Sequence, residues 1–250
     1  MDTKENPKLS SSNIVDCKPH CGACPLDCNQ CFYNRPGAFY ADVDEPHMPT
    51  PEEAGDRIVR VNSGHDSNLE REMVITETDC FERRFFNTSL PLFDFPAPVV
   101  FTANRSEERE AAGLSSMPGK MVPTNLMFVR LRVSPTNIEH IDLAVRHWTA
   151  LSVPVVLTFM AYYDCEPDMG DFPMKLEHAY VWKTRITNSY WCPTPAFMVA
   201  VRSRYLKNRL VSICGGFGSC LCKDCHNCET YYWQTEKRME EVRVSRSYAE

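Results

Sequence analysis

Short runs of β-branched and aromatic residues alternate along this chain with longer segments whose apolar residues recur every three or four positions. The short runs predict six strands, at residues 14–16, 57–62, 84–87, 98–104, 125–133 and 154–160. The longer segments predict helices, the clearest at residues 69–80, 137–150 and 195–208. Alternating strands and helices build a mainly parallel sheet with right-handed crossovers, so the predicted fold class is α/β.

Three segments depart from this alternation. Residues 1–13 are polar and predict a flexible tail. Residues 163–194 are dense in aromatic, proline and acidic residues without a regular period, which indicates an insertion or lid. Residues 211–250 hold a cysteine-rich stretch and a last helix. The predicted organisation is therefore a main domain over residues 14–210 with a small Cys-rich C-terminal extension.

The apolar pattern also predicts particular core residues. Five phenylalanines are expected in the core, namely Phe85, Phe86, Phe93, Phe95 and Phe101. On the helix at residues 69–80, the spacing of Leu69, Met73, Thr76 and Cys80 predicts one inward stripe that ends in a buried thiol.

Composition narrows the class of protein. The chain has 250 residues, 43% hydrophobic and 24% charged, as is ordinary for a globular protein. Its net charge of −6 argues against sequence-independent nucleic-acid binding, which requires an electropositive surface, but leaves a local nucleotide or RNA pocket open. No apolar run reaches bilayer-spanning length and no secretory signal begins the chain, so we expect a cytoplasmic protein with no membrane contact.

Ten of the thirteen cysteines fall in two short runs. The first run comprises Cys17, Cys21, Cys24, Cys28 and Cys31, and the second comprises Cys214, Cys220, Cys222, Cys225 and Cys228. Thiolates two or three residues apart converge when a loop curls, and a reducing cytoplasm disfavours disulfides. The spacing therefore indicates metal or cluster sites.

The triplet Cys24-x3-Cys28-x2-Cys31, followed at once by Phe32 and Tyr33, resembles the signature of the radical SAM enzymes. The resemblance implies that these three thiolates hold a 4Fe–4S cluster, whose open fourth iron binds the amino and carboxylate groups of S-adenosyl-L-methionine. It implies a partial (β/α)6 barrel with the cluster loop after the first strand. It also implies reductive cleavage of S-adenosylmethionine to a 5′-deoxyadenosyl radical that abstracts hydrogen from a substrate.

The same resemblance implies the cofactor contacts. Asn62, Ser63 and Gly64 follow the second strand, where the family usually has a Gly-rich loop that meets the methionine amino group. The ends of the fourth and fifth strands typically hold the ribose and carboxylate, and the residues at those positions here are Asn104, Ser134 and Asn137. Because Gln30 stands where the family often has an aromatic residue, Phe32 or Tyr33 is expected to contact the adenine.

A second triplet overlaps the first. Cys17-x3-Cys21-x2-Cys24 has the same spacing and lies closer to the first predicted strand, whereas Phe32 and Tyr33 favour the later triplet. Both remain open from the sequence alone.

The C-terminal cysteine run offers five thiols among glycines that permit tight turns, Gly215, Gly216 and Gly218. It resembles the auxiliary iron–sulfur sites that many radical SAM enzymes carry after the barrel. A closed tetrathiolate zinc site is the alternative, because zinc also uses closely spaced cysteine pairs.

Two classes of function follow. The first is a radical SAM enzyme acting on a small-molecule, peptide or nucleotide substrate, with an electron donor such as flavodoxin or ferredoxin. The second is a zinc-stabilised α/β protein that binds RNA or a protein partner.

Overall fold

The computed structural model of this chain describes residues 6, 9, 11–26, 28, 31, 44–104, 121–159, 161–162, 178–184, 189–216 and 224–248. Several predictions fall outside these residues. They concern Phe32, Tyr33, Cys220 and Cys222, together with much of the predicted insertion at residues 163–194.

Nine strands occur in the described residues: β1 (Ile14–Cys17), β2 (Ile58–Val61), β3 (Arg84–Thr88), β4 (Val99–Thr102), β5 (Leu126–Val133), β6 (Val155–Phe159), β7 (Tyr180–Lys183), β8 (Tyr190–Pro193) and β9 (Val211–Ile213). Seven of them form one parallel sheet in the order β1-β2-β3-β4-β5-β6-β9, which curls into a half-barrel. The α/β class and the six predicted strands are confirmed. The sheet has a seventh strand, β9, that the sequence did not predict.

The helices that the structure describes are α1 (Pro51–Ala54), α2 (Arg71–Glu77), α3 (Ile138–Ala150), α4 (Pro195–Arg204) and α5 (Asn227–Ser247). Local sequence explains where some of them begin. Thr50 and Glu53 form a capping box at α1, and the Thr194 hydroxyl accepts from the Phe197 N–H at the start of α4. Among these helices, none is long and apolar enough to cross a membrane.

The larger apolar core lies between the outer face of the sheet and the helices. Alternate strand residues such as Val61, Phe86 and Leu157 pack there with Trp148 of α3, which is fully buried. All five phenylalanines predicted for the core are buried, which confirms that part of the pattern.

On the concave face of the half-barrel, a second apolar cluster joins Ile58, Phe128 and Val156 to Tyr232 of α5. The Arg238 side chain of α5 donates to the backbone oxygens of Thr124 and Leu126 at the start of β5. The helix therefore closes the amino end of the half-barrel, and the carboxyl end is left to the loops.

The predicted stripe on α2 is only partly correct, since Met73 packs against the larger core and the rest of the stripe does not follow the prediction. Thr76 and Cys80 are exposed, and the buried positions are Val74 and Thr78, where the Thr78 hydroxyl donates to the Val74 oxygen at 2.7 Å. Both stripes have the helical spacing, so periodicity could not separate them. The helix also ends at Glu77, before it reaches Cys80.

Within the predicted insertion, the described residues include an antiparallel hairpin of β7 and β8. Trp182 and Trp191 meet across it edge to face, and Tyr180 packs against Tyr162 and Phe197. These aromatic contacts attach the hairpin to α4 and to the chain that leaves β6.

Candidate active site

The candidate site lies at the carboxyl ends of the parallel strands. Because β1 to β5 run in the same direction, the loops that follow them gather at one edge of the sheet, where βα barrels place their chemistry. The described loops there contain residues 18–26, 62–70, 89–91 and 134–137.

Cys24, Cys28 and Cys31 lie in the loop after β1 and are all half-buried. The Cys31 N–H donates to the Cys28 oxygen at 3.0 Å, which joins the backbones of two of the three cysteines. The pKa of Cys24 is raised to about 11, chiefly by burial. A backbone hydrogen bond at Leu26 acts in the opposite direction, and the charges of Cys28, Asp66 and Cys31 raise the pKa further. The three thiols are thus close enough to interact electrostatically, and a bound cation would offset the cost of their ionisation.

Cys17 has a different environment. It is the last residue of β1, only 1% exposed, and it packs in the larger core on the outer face of the sheet. Burial, followed by the charges of Asp16 and Cys80, raises its pKa well above the ordinary range for a thiol. Burial opposes ionisation of this thiol. The choice between the two overlapping triplets remains a prediction. Cys21, from the overlapping triplet, is exposed.

Asn62 joins the loops that follow β1 and β2. Its backbone has a left-handed φ of 58°, which asparagine tolerates better than most residues, and its N–H donates to the Cys17 oxygen. Its carboxamide contacts His20 Nδ1 at 3.2 Å and donates to the Ser67 hydroxyl at 3.2 Å. Asn62 is 1% exposed, and its role in this structure is to hold the two loops together.

Asp66 ties the loop after β2 to the end of β3. Its buried carboxylate accepts from the Thr88 hydroxyl, from the N–H and hydroxyl of Ser89, and from the Asn68 N–H, at 2.6–3.0 Å. Four donors satisfy this buried group. The charge of Asp66 is also among the minor causes that raise the pKa of Cys24.

His20 and His65 stack at the same edge, with ring centroids 3.7 Å apart and an angle of 17° between the rings. The Nε2 atom of buried His20 lies 2.8 Å from the Leu69 oxygen. Burial, and next the charge of His20, lower the pKa of half-buried His65 to about 4.

This lowered pKa predicts a loss of stability in acid. His65 binds its proton more weakly in the folded chain than in the unfolded one. Its contribution to the free energy of unfolding is therefore fully present above about pH 6.5 and is lost as the pH falls towards 4. After allowance for partial exposure, we expect the metal-free protein to lose about 2 kcal/mol of unfolding free energy over this range from His65. Urea unfolding at the two pH values, carried out on the parent and on His65→Phe, which keeps a stacked ring, measures the loss of unfolding free energy in each protein. An equal loss in both proteins would contradict the prediction.

Ser63 and Gly64, predicted to meet the cofactor, are half-buried in the loop after β2. The Ser63 hydroxyl oxygen is buried and has no hydrogen-bond partner among the described residues. A buried hydroxyl without a partner costs free energy, which is the condition expected where a ligand completes the hydrogen bonding.

Asn104, Ser134 and Asn137 stand where the strands β4 and β5 end, but their polar atoms are engaged locally. The Asn104 carboxamide donates to the Arg132 oxygen and accepts from the Arg132 N–H, at 2.8 and 2.7 Å. Asn137 accepts from the Ser134 N–H and donates to the Arg132 oxygen, and its side chain makes no capping hydrogen bond to α3. The Ser134 hydroxyl pairs with that of Thr136. Their cofactor contacts remain a prediction.

Three cysteines of the second run lie in the described residues: Cys214, Cys225 and Cys228, all half-buried. Cys214 follows β9, and both it and Cys228 pack against the concave apolar cluster. A Cβ atom at Gly216 would come within 3.1 Å of the Asp224 Cβ, so the two ends of this segment are in close contact. His226 is exposed and lies 3.7 Å from the Glu229 carboxylate.

Among the residues that the structure describes, no three histidine, cysteine or acidic side chains converge in a ready metal-binding group. Comparison with protein-family models, curated proteins and solved structures gives no match for this chain. The residues themselves therefore carry the functional inference.

Sequence reasoning did not assign a role to His20, His65 or Asp66. Two of them stand in the polar run Ser63-Gly64-His65-Asp66, which follows a predicted strand. Polar side chains at that position are candidates for a site in any parallel sheet, so this signal was present in the sequence.

Proposed function

We propose that this protein is a radical SAM enzyme. The observation that carries the proposal is the position of Cys24, Cys28 and Cys31 in the loop after β1, at the carboxyl edge of a curled parallel sheet. Cys17, the competing first thiol, belongs instead to the core. We therefore take Cys24, Cys28 and Cys31, whose spacing resembles the radical SAM signature, as the proposed cluster ligands.

The donors suit the chemistry of the implied group. Three half-buried thiols would hold a 4Fe–4S cluster, and the loop with Ser63 and Gly64 would receive the methionine end of S-adenosylmethionine. When bound, this pair supplies the electron and the C5′–S bond cleavage that give a 5′-deoxyadenosyl radical.

The residues of the chain would orient the bound groups and shield them from water. Asp66 and Asn62 fix the loop after β2 against β3 and against His20, so that the groups around the thiols are preorganised. Side chains of α5 pack on the concave apolar cluster at the opposite end of the half-barrel, which would shield that end from water. An electron donor such as flavodoxin or ferredoxin would have access from the carboxyl edge.

For the second cysteine run we propose an auxiliary iron–sulfur site with a structural or electron-relay role. Cys214 and Cys228 pack on the same apolar cluster, and the contact of Gly216 with Asp224 brings the two ends of the segment together. Five thiols can supply four ligands, which would leave no open iron for a second cofactor site.

The test is anaerobic purification followed by assay for 5′-deoxyadenosine with dithionite and S-adenosylmethionine. We expect brown protein with broad visible absorbance, iron and sulfide in amounts sufficient for two clusters, and slow release of 5′-deoxyadenosine without added substrate. Colourless protein that contains zinc alone would refute the proposal and support the zinc-stabilised binding protein.

A further inference from the structure

His20 is a buried histidine in the loop after β1, and it contacts the loop after β2 at three points. Its Nδ1 atom lies 3.2 Å from the Asn62 carboxamide oxygen, and its Nε2 atom lies 2.8 Å from the Leu69 backbone oxygen. Its ring stacks on the ring of His65, with the centroids 3.7 Å apart. One side chain therefore holds the start, the middle and the end of the loop after β2.

Two of these contacts enclose a dipeptide. Asn62 directly precedes Ser63, and His65 directly follows Gly64. Both flanking residues contact the His20 ring, one through a hydrogen bond and the other through stacking. His20 thus fixes the backbone on both sides of the dipeptide Ser63-Gly64.

The three contacts together use every part of an imidazole. The Leu69 backbone oxygen can only accept a hydrogen bond, so Nε2 of His20 is the donor in that contact. Nδ1 meets a carboxamide that is itself anchored, because Asn62 also donates to the Ser67 hydroxyl at 3.2 Å. The flat face of the ring supplies the stacking surface. Phenylalanine would keep only that face, and glutamine would keep only one polar end.

The dipeptide between the fixed points carries a group that awaits a partner. The Ser63 hydroxyl oxygen is buried and has no hydrogen-bond partner among the residues that the structure describes. A loop that was free to rearrange would turn such a hydroxyl towards water or towards a backbone group, because leaving it unpaired is costly. The contacts of His20 oppose that rearrangement, so the hydroxyl is already oriented when a ligand arrives.

We infer that His20 is a positioning residue, which holds Ser63 and Gly64 in the conformation that receives the methionine end of S-adenosylmethionine. The identity of this ligand rests on the proposed function, whereas the three contacts of His20 do not depend on it. Because His20 and Cys24 belong to the same loop, the residue also ties the loop of the proposed cluster ligands to the loop of the proposed cofactor contacts.

Two substitutions separate the contacts. His20→Phe keeps the stacking face and removes both hydrogen bonds, and His20→Gln retains one amide donor. We expect the dissociation constant of S-adenosylmethionine, measured by anaerobic equilibrium dialysis, to rise about tenfold in His20→Phe and less in His20→Gln. Iron content per chain should equal that of the parent. His140→Phe, the same substitution at an exposed histidine of α3, should bind S-adenosylmethionine like the parent.

Release of 5′-deoxyadenosine separates positioning from a general loss of structure. In His20→Phe, the Michaelis constant for S-adenosylmethionine should rise about tenfold, while turnover at saturation stays within about twofold of the parent. A variant that merely unfolds more readily would lose turnover in proportion to its folded fraction and keep the affinity of the parent. Affinity equal to that of the parent in both His20 variants overturns the inference.

A double variant tests whether the effect passes through Ser63. Ser63→Ala removes the unpaired hydroxyl and should itself weaken binding of S-adenosylmethionine. If His20 acts by orienting that hydroxyl, the combination of Ser63→Ala with His20→Phe weakens binding by less than the product of the two single effects. The full product would overturn the role assigned to Ser63.

Amide hydrogen exchange tests the loop without iron or cofactor. The Ser67 N–H donates to the Asn87 oxygen at 3.0 Å, so its exchange reports on the loop after β2. We expect this amide to exchange about tenfold faster in His20→Phe than in the parent or in His140→Phe. Unchanged exchange in His20→Phe overturns the inference, whether or not the chain binds S-adenosylmethionine. Faster exchange in a chain that binds no S-adenosylmethionine refutes the proposed function and leaves the positioning of the loop by His20 standing.

Discussion

Replacing Cys28 or Cys31 with alanine is expected to reduce release of 5′-deoxyadenosine to the assay background, while iron bound by the second cysteine run remains. Each variant leaves two of three ligands, and a cluster with two protein ligands at this position would not be retained. The measurements are product release under anaerobic reducing conditions and iron content per chain. Circular dichroism of each variant establishes that the fold is intact.

Two matched controls make this result specific. Cys80→Ala removes an exposed cysteine outside both runs and should release 5′-deoxyadenosine like the parent. Cys21→Ala should also remain active, because the overlapping triplet would need Cys17, which packs in the core. Full activity of Cys28→Ala and Cys31→Ala, with loss in Cys21→Ala, would reverse the choice of triplet.

Arg60→Met should lower the free energy of unfolding by about 3–5 kcal/mol, because it leaves the buried Asp16 carboxylate without its cation. Arg60 and Asp16 are 8% and 3% exposed, and the neutral Asn6 carboxamide also donates to Asp16, at 2.7 Å. Chemical denaturation of parent and variant measures the change.

Arg130→Met is the matched control, because it also removes an arginine from the concave face of the half-barrel. That variant should change the unfolding free energy by less than about 1 kcal/mol, since Arg130 has no carboxylate partner in the described residues. A double variant, Asp16→Leu with Arg60→Met, should recover about half of the loss by removing both charges. Equal destabilisation by the two single arginine variants would contradict this account of the pair.

The strands could be predicted from local sequence to a large extent. Most residues of the six predicted strands are apolar or β-branched and buried, and such runs stand out against polar connections. Strand β9 was not predicted because it has only three residues, Val211–Ile213, and owes its conformation to pairing with β6. The inward face of α2 was only partly predicted for a related reason: two stripes on the helix had suitable spacing, and only packing on the sheet chose between them.

The sequence by itself determined the α/β class, the order of its main strands and the presence of two thiol-rich segments, because these depend on residue type and short spacing. Tertiary structure decided which thiols share an environment. Cys17 and Cys24 belong to one spacing motif, yet strand alternation turns the Cys17 side chain into the outer core, while Cys24 is half-buried in the loop after β1. It also decided that Arg60 meets a carboxylate and Arg130 a carboxamide, because partners 44 and 43 residues away in the chain meet only once the sheet has formed.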